Sequence, residues 1–354
     1  MKEALARRIE ELAAIDGVAG FEQDVVAYMA EALRGLGLPT EVDRFGNLVA
    51  TRRGSRGSPS VMIAAHADEI GAMVRSIDER GFIWFEKIGG TQDILLPGRM
   101  VRVNGVFGVV GTKAGHLVKG AESEVVQASK LYVDVGTSSR AQTEALGIRI
   151  GDPIAFVGEV HRFANPDLLC GKALDNRVSC AMLLQLFEEL QTMDFPGTLY
   201  GVVNVQEEIG WQGIRLVGAK LRPDSAIVVD TIPSGDTPDT DFHRELAISM
   251  GGGPVIAVMS GDNRWNYIMP LAMKELMIRS AEEEGIPYQL ALFPRSGSDA
   301  ITLHMVGEGI PTAVVNIPRR NAHSPVEVID LNDVVNAERL LRRVAVALAT
   351  GTHP

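Results

Sequence analysis

The chain has 354 residues, of which 46% are hydrophobic, and its formal net charge is -11 at pH 7. This length allows two domains and a large buried core. The acidic balance argues against nucleic acid or an anionic membrane surface as a partner, and no apolar run approaches the ~20 residues of a membrane span.

The first third of the chain predicts two helices and then two strands. Charges recur through residues 2–15, which favours an amphipathic helix over a signal peptide. A second helix is predicted over 22–36, and strand-like runs follow at 46–52 and 60–66.

The pattern of apolar residues changes between residues 71 and 164. Short apolar runs are separated there by Gly, Pro and Asn turns, and no helix is predicted among them. Short strands separated by such turns are typical of a small β-barrel or sandwich. The runs are GAMVRSI, GFIWFEKI, MVRVNGVFGVV, KLYVDVG and DPIAFVGEV.

Helices and strands alternate again after about residue 165. Helices are predicted over 176–190, 214–220, 270–284 and 332–349, and strands over 198–205, 225–230 and 311–317. The alternation predicts an α/β fold with a mostly parallel sheet flanked by helices. We therefore expect residues 1–70 and 165–354 to form one α/β domain, into which 71–164 are inserted as a small β-barrel.

The two cysteines, Cys170 and Cys180, have neither zinc-knuckle nor redox-motif spacing. Free thiols of this kind are typical of a reducing compartment. We expect a cytoplasmic protein.

Histidine and carboxylate side chains follow the predicted core strands or precede a predicted helix. In open α/β sheets, ligands bind outside the carboxyl ends of the strands, so we expect these groups to meet at one edge. A single strand-terminal Asp is more often a cap or turn residue, but five separate segments contribute here. The residues are His66, Asp68, Asp175, Glu207, Glu208, Asp230 and His323.

A mixed set of His, Asp and Glu suits Zn²⁺, Co²⁺ or Mn²⁺ rather than soft thiophilic ions. Two His, two Asp and one Glu would give five ligands. This number exceeds the three protein ligands of a mononuclear catalytic zinc and matches two metal ions that share one carboxylate. Such a pair polarises a carbonyl group and activates water, whose proton an uncommitted carboxylate passes to the leaving amine. Asp68 is expected to accept the second N–H of the His66 imidazole.

The adjacent pair Glu207 and Glu208 argues against a glycosidase. Glycoside hydrolysis needs two carboxyl groups ~5 to 10 Å apart that face one sugar, whereas neighbouring strand residues point to opposite faces. At a strand end the chain turns, so that one Glu can bind metal while the other reaches water.

The motifs AAHADEIGAMV, GKALDNRVSC, NVQEEIGWQG, IVVD, RSGSDA and IPRRNAHSPVEV occur in this order. Together they resemble the tetrahedral (TET-type) metallo-aminopeptidases of peptidase family forty-two, clan MH. This family includes glutamyl and leucyl aminopeptidases, and some members carry the name endoglucanase. The likeness covers essentially the full chain, including the position of the inserted domain.

The resemblance implies two divalent metal ions per subunit, with zinc favoured over cobalt or manganese. His66 and Asp230 would hold one ion, and Glu208 and His323 would hold the other. Asp175 would bridge the two ions.

The resemblance also implies that Glu207 is the general base and Asp68 the partner of His66. The inserted domain would be PDZ-like and would mediate assembly of a homo-oligomer, in which dimers build a dodecamer. The substrates would be short or unfolded peptides that enter a cavity and lose their N-terminal residue.

Two positions depart from the family pattern. Asn321 stands where Tyr is usual, and Ser298 stands where Thr is usual; we expect effects on specificity rather than on catalysis. Arg295, Arg319 and Arg320 are suited to a substrate carboxylate, or they are ordinary surface residues.

Two other functions stay open. A deacylase or carboxypeptidase acting on N-acyl amino acids uses a similar ligand set, but such relatives carry their extra domain between the later acidic ligand and the last His. Here the insertion lies between His66 and Asp175. A non-catalytic, oligomeric peptide-binding scaffold is the third possibility.

Overall fold

The computed structural model describes residues 1–117, 125–261 and 264–351. Its strands form a 12-stranded sheet and a separate closed barrel. Within these residues, every helix is too short or too polar to cross a membrane.

The strands are numbered in chain order. They are β1 (Thr40–Val42), β2 (Leu48–Arg53), β3 (Ser60–His66), β4 (Gly71–Ile77), β5 (Ile83–Ile88), β6 (Met100–Val103), β7 (Val106–Gly111), β8 (Tyr132–Asp134), β9 (Pro153–Phe156), β10 (His161–Arg162), β11 (Leu168–Gly171), β12 (Thr198–Asn204), β13 (Ser225–Pro233), β14 (Val255–Gly261), β15 (Asn266–Ile268), β16 (Gln289–Phe293), β17 (Thr312–Arg320) and β18 (Glu327–Asp330).

The α-helices are numbered in the same way. They are α1 (Lys2–Ala13), α2 (Gln23–Gly35), α3 (Arg140–Ala145), α4 (Leu174–Leu190), α5 (Gln212–Leu221), α6 (Leu271–Glu283), α7 (Ala300–Leu303) and α8 (Leu331–Thr350).

The large sheet confirms the predicted α/β fold. Its strand order is β1-β2-β12-β3-β13-β17-β18-β11-β10. Outside this order, β14 pairs with β17, and β15 and β16 each pair with β14. The four central strands, β12, β3, β13 and β17, are parallel. β1 and β18 run antiparallel to their neighbours β2 and β17, because the short loops of residues 43–47 and 321–326 cannot make a parallel crossover.

The central strands are buried on both faces. Six consecutive residues of β3 and eight of β13 are buried, which requires a layer of helices on each side of the sheet. One apolar core joins these strands to α1, α2, α4 and α8.

The inserted segment forms the predicted β-barrel, closed in the order β4-β5-β8-β7-β6-β9. It has its own apolar core, which includes Val74, Val101 and Val133. The expectation of no helix in this segment is wrong, because α3 lies within it. Only Thr143 of that six-residue helix is buried, so its sequence lacks the apolar residues at helical spacing that would have predicted it.

The large sheet also reaches back beyond the predicted start at residue 165. The two residues of β10 pair with β11, so His161 belongs to the large sheet and not to the barrel.

Candidate metal centre

The predicted site residues converge at one edge of the four parallel strands. His66 is the last residue of β3, and Asp230 lies inside β13, three residues before its end. Glu207 and Glu208 follow β12. Since these strands are parallel neighbours, their carboxyl ends share one edge.

Two residues outside the parallel strands complete the set. Asp175 lies at the start of α4, where its own backbone and that of Asn176 are not helical. His323 lies between β17 and β18 and has a positive φ of 55°.

The ligand atoms form two overlapping groups, each within 4.8 Å: His66, Asp175 and Asp230, and Asp175, Glu208 and His323. His66 Nε2 lies 3.2 Å from Asp175 Oδ1 and 3.5 Å from Asp230 Oδ1. His323 Nε2 lies 3.4 Å from Asp175 Oδ2 and 3.7 Å from Glu208 Oε2. The two oxygens of Asp175 therefore face different groups.

The donor atoms fit divalent cations. Asp175 Oδ1 is buried and makes no hydrogen bond to any residue that the structure describes, although His66 Nε2 lies 3.2 Å from it. Burial raises the pKa of Glu208 to about 7; His323 opposes this rise and the charge of Asp175 adds to it. Buried carboxylates of this kind are tolerated when a cation or a hydrogen bond compensates them, and nitrogen with oxygen donors suits Zn²⁺, Co²⁺ or Mn²⁺.

A buried ion pair lies behind Asp175. Arg319 Nη2 is 2.5 Å from Asp175 Oδ2, and Arg319 Nη1 pairs with Glu327. Burial alone would raise the pKa of Asp175, but Arg319 and the two histidines hold it well below its usual value. The Glu327 carboxylate also accepts the main-chain N–H groups of Asp175 and His323, each at 2.9 Å.

Asp68 makes further contacts beside the expected one with His66. Its carboxylate accepts the main-chain N–H groups of Glu207 at 3.0 Å and Glu208 at 2.9 Å. His66 Nδ1 lies 3.2 Å from the main-chain oxygen of Asp68 and 3.6 Å from its carboxylate. The carboxylate of Asp68 thus holds the Glu pair, while its carbonyl oxygen orients the imidazole.

Glu207 belongs to neither ligand group. The indole Nε1 of Trp211 donates to Glu207 Oε1 at 2.8 Å. Burial raises the pKa of Glu207 well above its usual value; His66 opposes this rise, and the neighbouring carboxylates reinforce it. Glu207 is therefore a buried carboxyl group with a high proton affinity beside the candidate ligands.

The site lies in a cavity of about 610 Å³. Ser298 lines this cavity, whereas Asn321 is exposed and donates to Val326 within its own loop. The barrel contributes Gly90, where an added Cβ would lie 2.5 Å from His323 Nδ1.

Sequence reasoning missed several residues of the site. Arg319 was expected to bind a substrate carboxylate or to be an ordinary surface residue, but it is buried and paired with Asp175. Nothing in the chain order links the barrel loop to His323. The missed residues are Gly90, Trp211 and Glu327.

Comparisons with known proteins agree with this architecture. Residues 46–340 match the family of M42 glutamyl aminopeptidases. A putative aminopeptidase of Acetivibrio thermocellus is 35% identical over 334 residues, which are 94% of this chain and 96% of that protein.

Two solved structures share the whole fold. A TET aminopeptidase from Thaumarchaeota archaeon SCGC AB-539-E09 has a TM-score of 0.93 at 30% identity and covers 99% of both chains. The TET1 peptidase of Pyrococcus horikoshii, which can assemble into a tetrahedron or a large octahedral shell, has a TM-score of 0.85 at 25% identity and covers 96% of this chain and 99% of that one. The chain belongs to the M42 family of aminopeptidases.

Proposed function

We propose that this chain is a metal-dependent aminopeptidase that removes N-terminal residues from short peptides with two divalent metal ions and a glutamate base. The observation that carries the proposal is the pair of ligand groups that share Asp175. His66 and Asp230 would hold one ion, and Glu208 and His323 the other. Zinc is the favoured metal, with cobalt or manganese as alternatives.

When bound, two such ions supply Lewis acidity, which polarises the scissile carbonyl group and lowers the pKa of water. Glu207 takes the proton of the attacking water and passes it to the leaving amine. Trp211 fixes one oxygen of Glu207, so that the other can face the water.

Replacing Glu207 by Gln tests the base. The amide keeps the size of the side chain and cannot take a proton, so we expect unchanged metal content and a loss of orders of magnitude in kcat. Near-normal turnover would remove this assignment. Glu338→Gln makes the same change at a buried carboxylate on α8 and serves as the matched control.

Replacing Asp175 by Ala tests the bridge. Both ligand groups lose an oxygen, so we expect loss of metal by elemental analysis while circular dichroism stays that of a folded protein. Two metal ions that survive this change would contradict the bridging role.

Paired substrates separate the aminopeptidase from a deacylase or carboxypeptidase. An aminopeptidase should cleave a short peptide with a free N-terminal amine and leave its N-acetylated form intact. The reverse preference would favour the deacylase, and a protein that binds no metal would favour the scaffold.

We also propose that the protein forms a homo-oligomer in which dimers build a dodecamer. Shell assembly of the Pyrococcus horikoshii relative supports this. So do the exposed apolar side chains of Met100, Phe107 and Val109 on neighbouring barrel strands. Light scattering should show an assembly that Phe107→Glu weakens; a monomeric wild-type protein would refute the proposal.

A further inference from the structure

Glu22 is a buried carboxylate that none of the proposed catalytic steps uses. It is 4% exposed and lies directly before α2, where a side chain can cap the helix. Within the described helix, however, its side chain makes no capping hydrogen bond. Instead Glu22 Oε1 accepts the main-chain N–H groups of Gly20 at 2.7 Å and Gln206 at 3.1 Å. The second bond joins residues 184 positions apart and ends directly before Glu207.

Gln206 is the residue at which the chain turns away from the sheet. β12 ends at Asn204, and Gln206 has a positive φ of 61°, in the left-handed region that residues with a Cβ rarely adopt. Gln206 and Glu22 line a cavity of about 350 Å³ beside α2, whereas Glu207 and Glu208 line the cavity of the candidate metal centre. The conformation of Gln206 therefore sets the direction in which the next two side chains leave the strand.

The four residues that follow β12 donate their main-chain N–H groups to buried side chains. Three separate chain segments supply the acceptors, Asn47, Glu22 and Asp68. The bonds run from Val205 to Asn47, from Gln206 to Glu22, and from Glu207 and Glu208 to Asp68. Since these four residues lie beyond the strand ladder, the side chains take the place of a neighbouring strand as acceptors. Glu22 holds the residue with the positive φ.

We propose that Glu22 is a positioning residue that acts on the general base through the turn at Gln206. This inference rests on the proposed aminopeptidase function, in which Glu207 takes the proton of the attacking water. Without the Glu22 oxygen, Gln206 loses the hydrogen bond that offsets the cost of its left-handed conformation. The turn then relaxes toward an extended conformation and carries Glu207 away from the candidate ligands.

The kinetic test compares variants that remove or keep the acceptor. At full Zn²⁺ occupancy, verified by elemental analysis, Glu22→Ala should lower kcat about tenfold to hundredfold with KM little changed, because a displaced base slows the reaction of bound substrate. Glu22→Gln should retain most of the wild-type kcat, since its amide oxygen can accept both N–H groups. Asp24→Ala, at an exposed acid of the first turn of α2, is the matched control and should behave as the wild type.

A third variant carries the test if Glu22→Ala does not fold. Glu22→Asp keeps the charge, but its carboxylate is one methylene group shorter and cannot reach Gln206 in the same geometry. It should lower kcat as the alanine variant does. A folded Glu22→Asp protein with wild-type kcat would contradict the positioning role.

Amide hydrogen exchange tests the positioning without a substrate or a metal ion. In the metal-free protein, Glu22→Ala should speed exchange at Glu207 and Glu208 as well as at Gln206, although Asp68 still accepts the first two N–H groups. Glu22→Gln should leave all three amides near their wild-type rates. Faster exchange at Gln206 alone would show that Glu22 holds only its own partner, and would overturn the inference.

These measurements separate the inference from the proposed function. If the metal-loaded wild type hydrolyses no peptide but exchange changes at all three amides, the aminopeptidase fails and Glu22 still positions the turn. If the wild type cleaves peptides and a folded Glu22→Ala protein is less stable in urea but keeps its kcat, Glu22 supports the fold alone and the inference is overturned.

Discussion

Replacing Glu327 by Gln should weaken metal binding as well as the fold. The carboxylate accepts the main-chain N–H groups of Asp175 and His323 and pairs with Arg319. A Gln side chain offers one acceptor oxygen instead of two and carries no charge. One N–H group must therefore lose its partner, and both loops that bear candidate ligands become less well held.

The size of the effect follows from burial. Glu327 is 2% exposed, and a hydrogen bond to a charged group contributes about 1.5–3 kcal/mol to stability. We expect the free energy of unfolding to fall by about 2 kcal/mol, since a single such bond is lost outright. Loss of a residue that orients metal ligands typically lowers metal affinity about 10–100-fold, which is about 1.4–2.8 kcal/mol.

The assay is competition for Zn²⁺ with a chromophoric chelator, beside urea unfolding of the metal-free protein. Glu338→Gln is the control because Glu338 is fully buried and far from the candidate ligands in the fold, on α8, where Arg342 Nε lies 3.5 Å from its Oε1 and neither oxygen makes a hydrogen bond within the described residues. Its Zn²⁺ affinity should equal that of the wild type. If Glu327→Gln is destabilised but binds Zn²⁺ as tightly as the wild type, the carboxylate supports the fold alone and the reasoning fails.

Three further changes test other parts of the site and core. Gly90→Ala places a methyl group where His323 Nδ1 would be 2.5 Å away, so metal content should fall by elemental analysis; full occupancy would show that the barrel loop can move aside. Trp211→Phe removes the N–H that binds Glu207, so kcat should fall about tenfold with metal content unchanged; unaltered kcat would exclude an orienting role. Burial raises the pKa of Glu338 to about 7, so the folded protein keeps a proton that the unfolded chain loses near its ordinary value of 4.5. The contribution of Glu338 to stability should therefore fall as pH rises from about 4.5 to 7, and urea unfolding at pH 8 should find Glu338→Gln more stable than the wild type by up to about 3 kcal/mol; lower stability of the variant at pH 8 would contradict this.

The long elements of the fold were predictable because buried strands and helices have characteristic patterns of apolar residues in the sequence. The consecutive apolar residues of β3 and β13 reflect a sheet covered on both faces. β18 has no such apolar run, since two of its four buried residues, Glu327 and Asp330, are acidic. The burial of Glu327 depends partly on a partner that is distant in the chain, the main-chain N–H of Asp175, 152 residues away.

The candidate ligands were predictable for a related reason. Strand ends in a parallel sheet share an edge, so residues such as His66 and Asp230 are neighbours in space whenever the strands are recognised. The contacts around them do not follow from chain order. Asp68 was expected to pair with its near neighbour His66, but chain order did not indicate that its carboxylate, 3.6 Å from His66 Nδ1, also binds the main chain of Glu207, 139 residues away.

The candidate ligands are held in two ways, and this explains why buried carboxylates surround the site. His66 and Asp230 lie on strands, where ladder hydrogen bonds fix the main chain. Glu208 and His323 lie on loops, and in each case a buried carboxylate accepts the main-chain N–H instead. Where the sheet ends, the carboxylates of Asp68 and Glu327 thus take the place of the inter-strand hydrogen bonds. Neutralising either one should therefore disturb the loop-borne group of ligands first and leave the strand-borne residues in register.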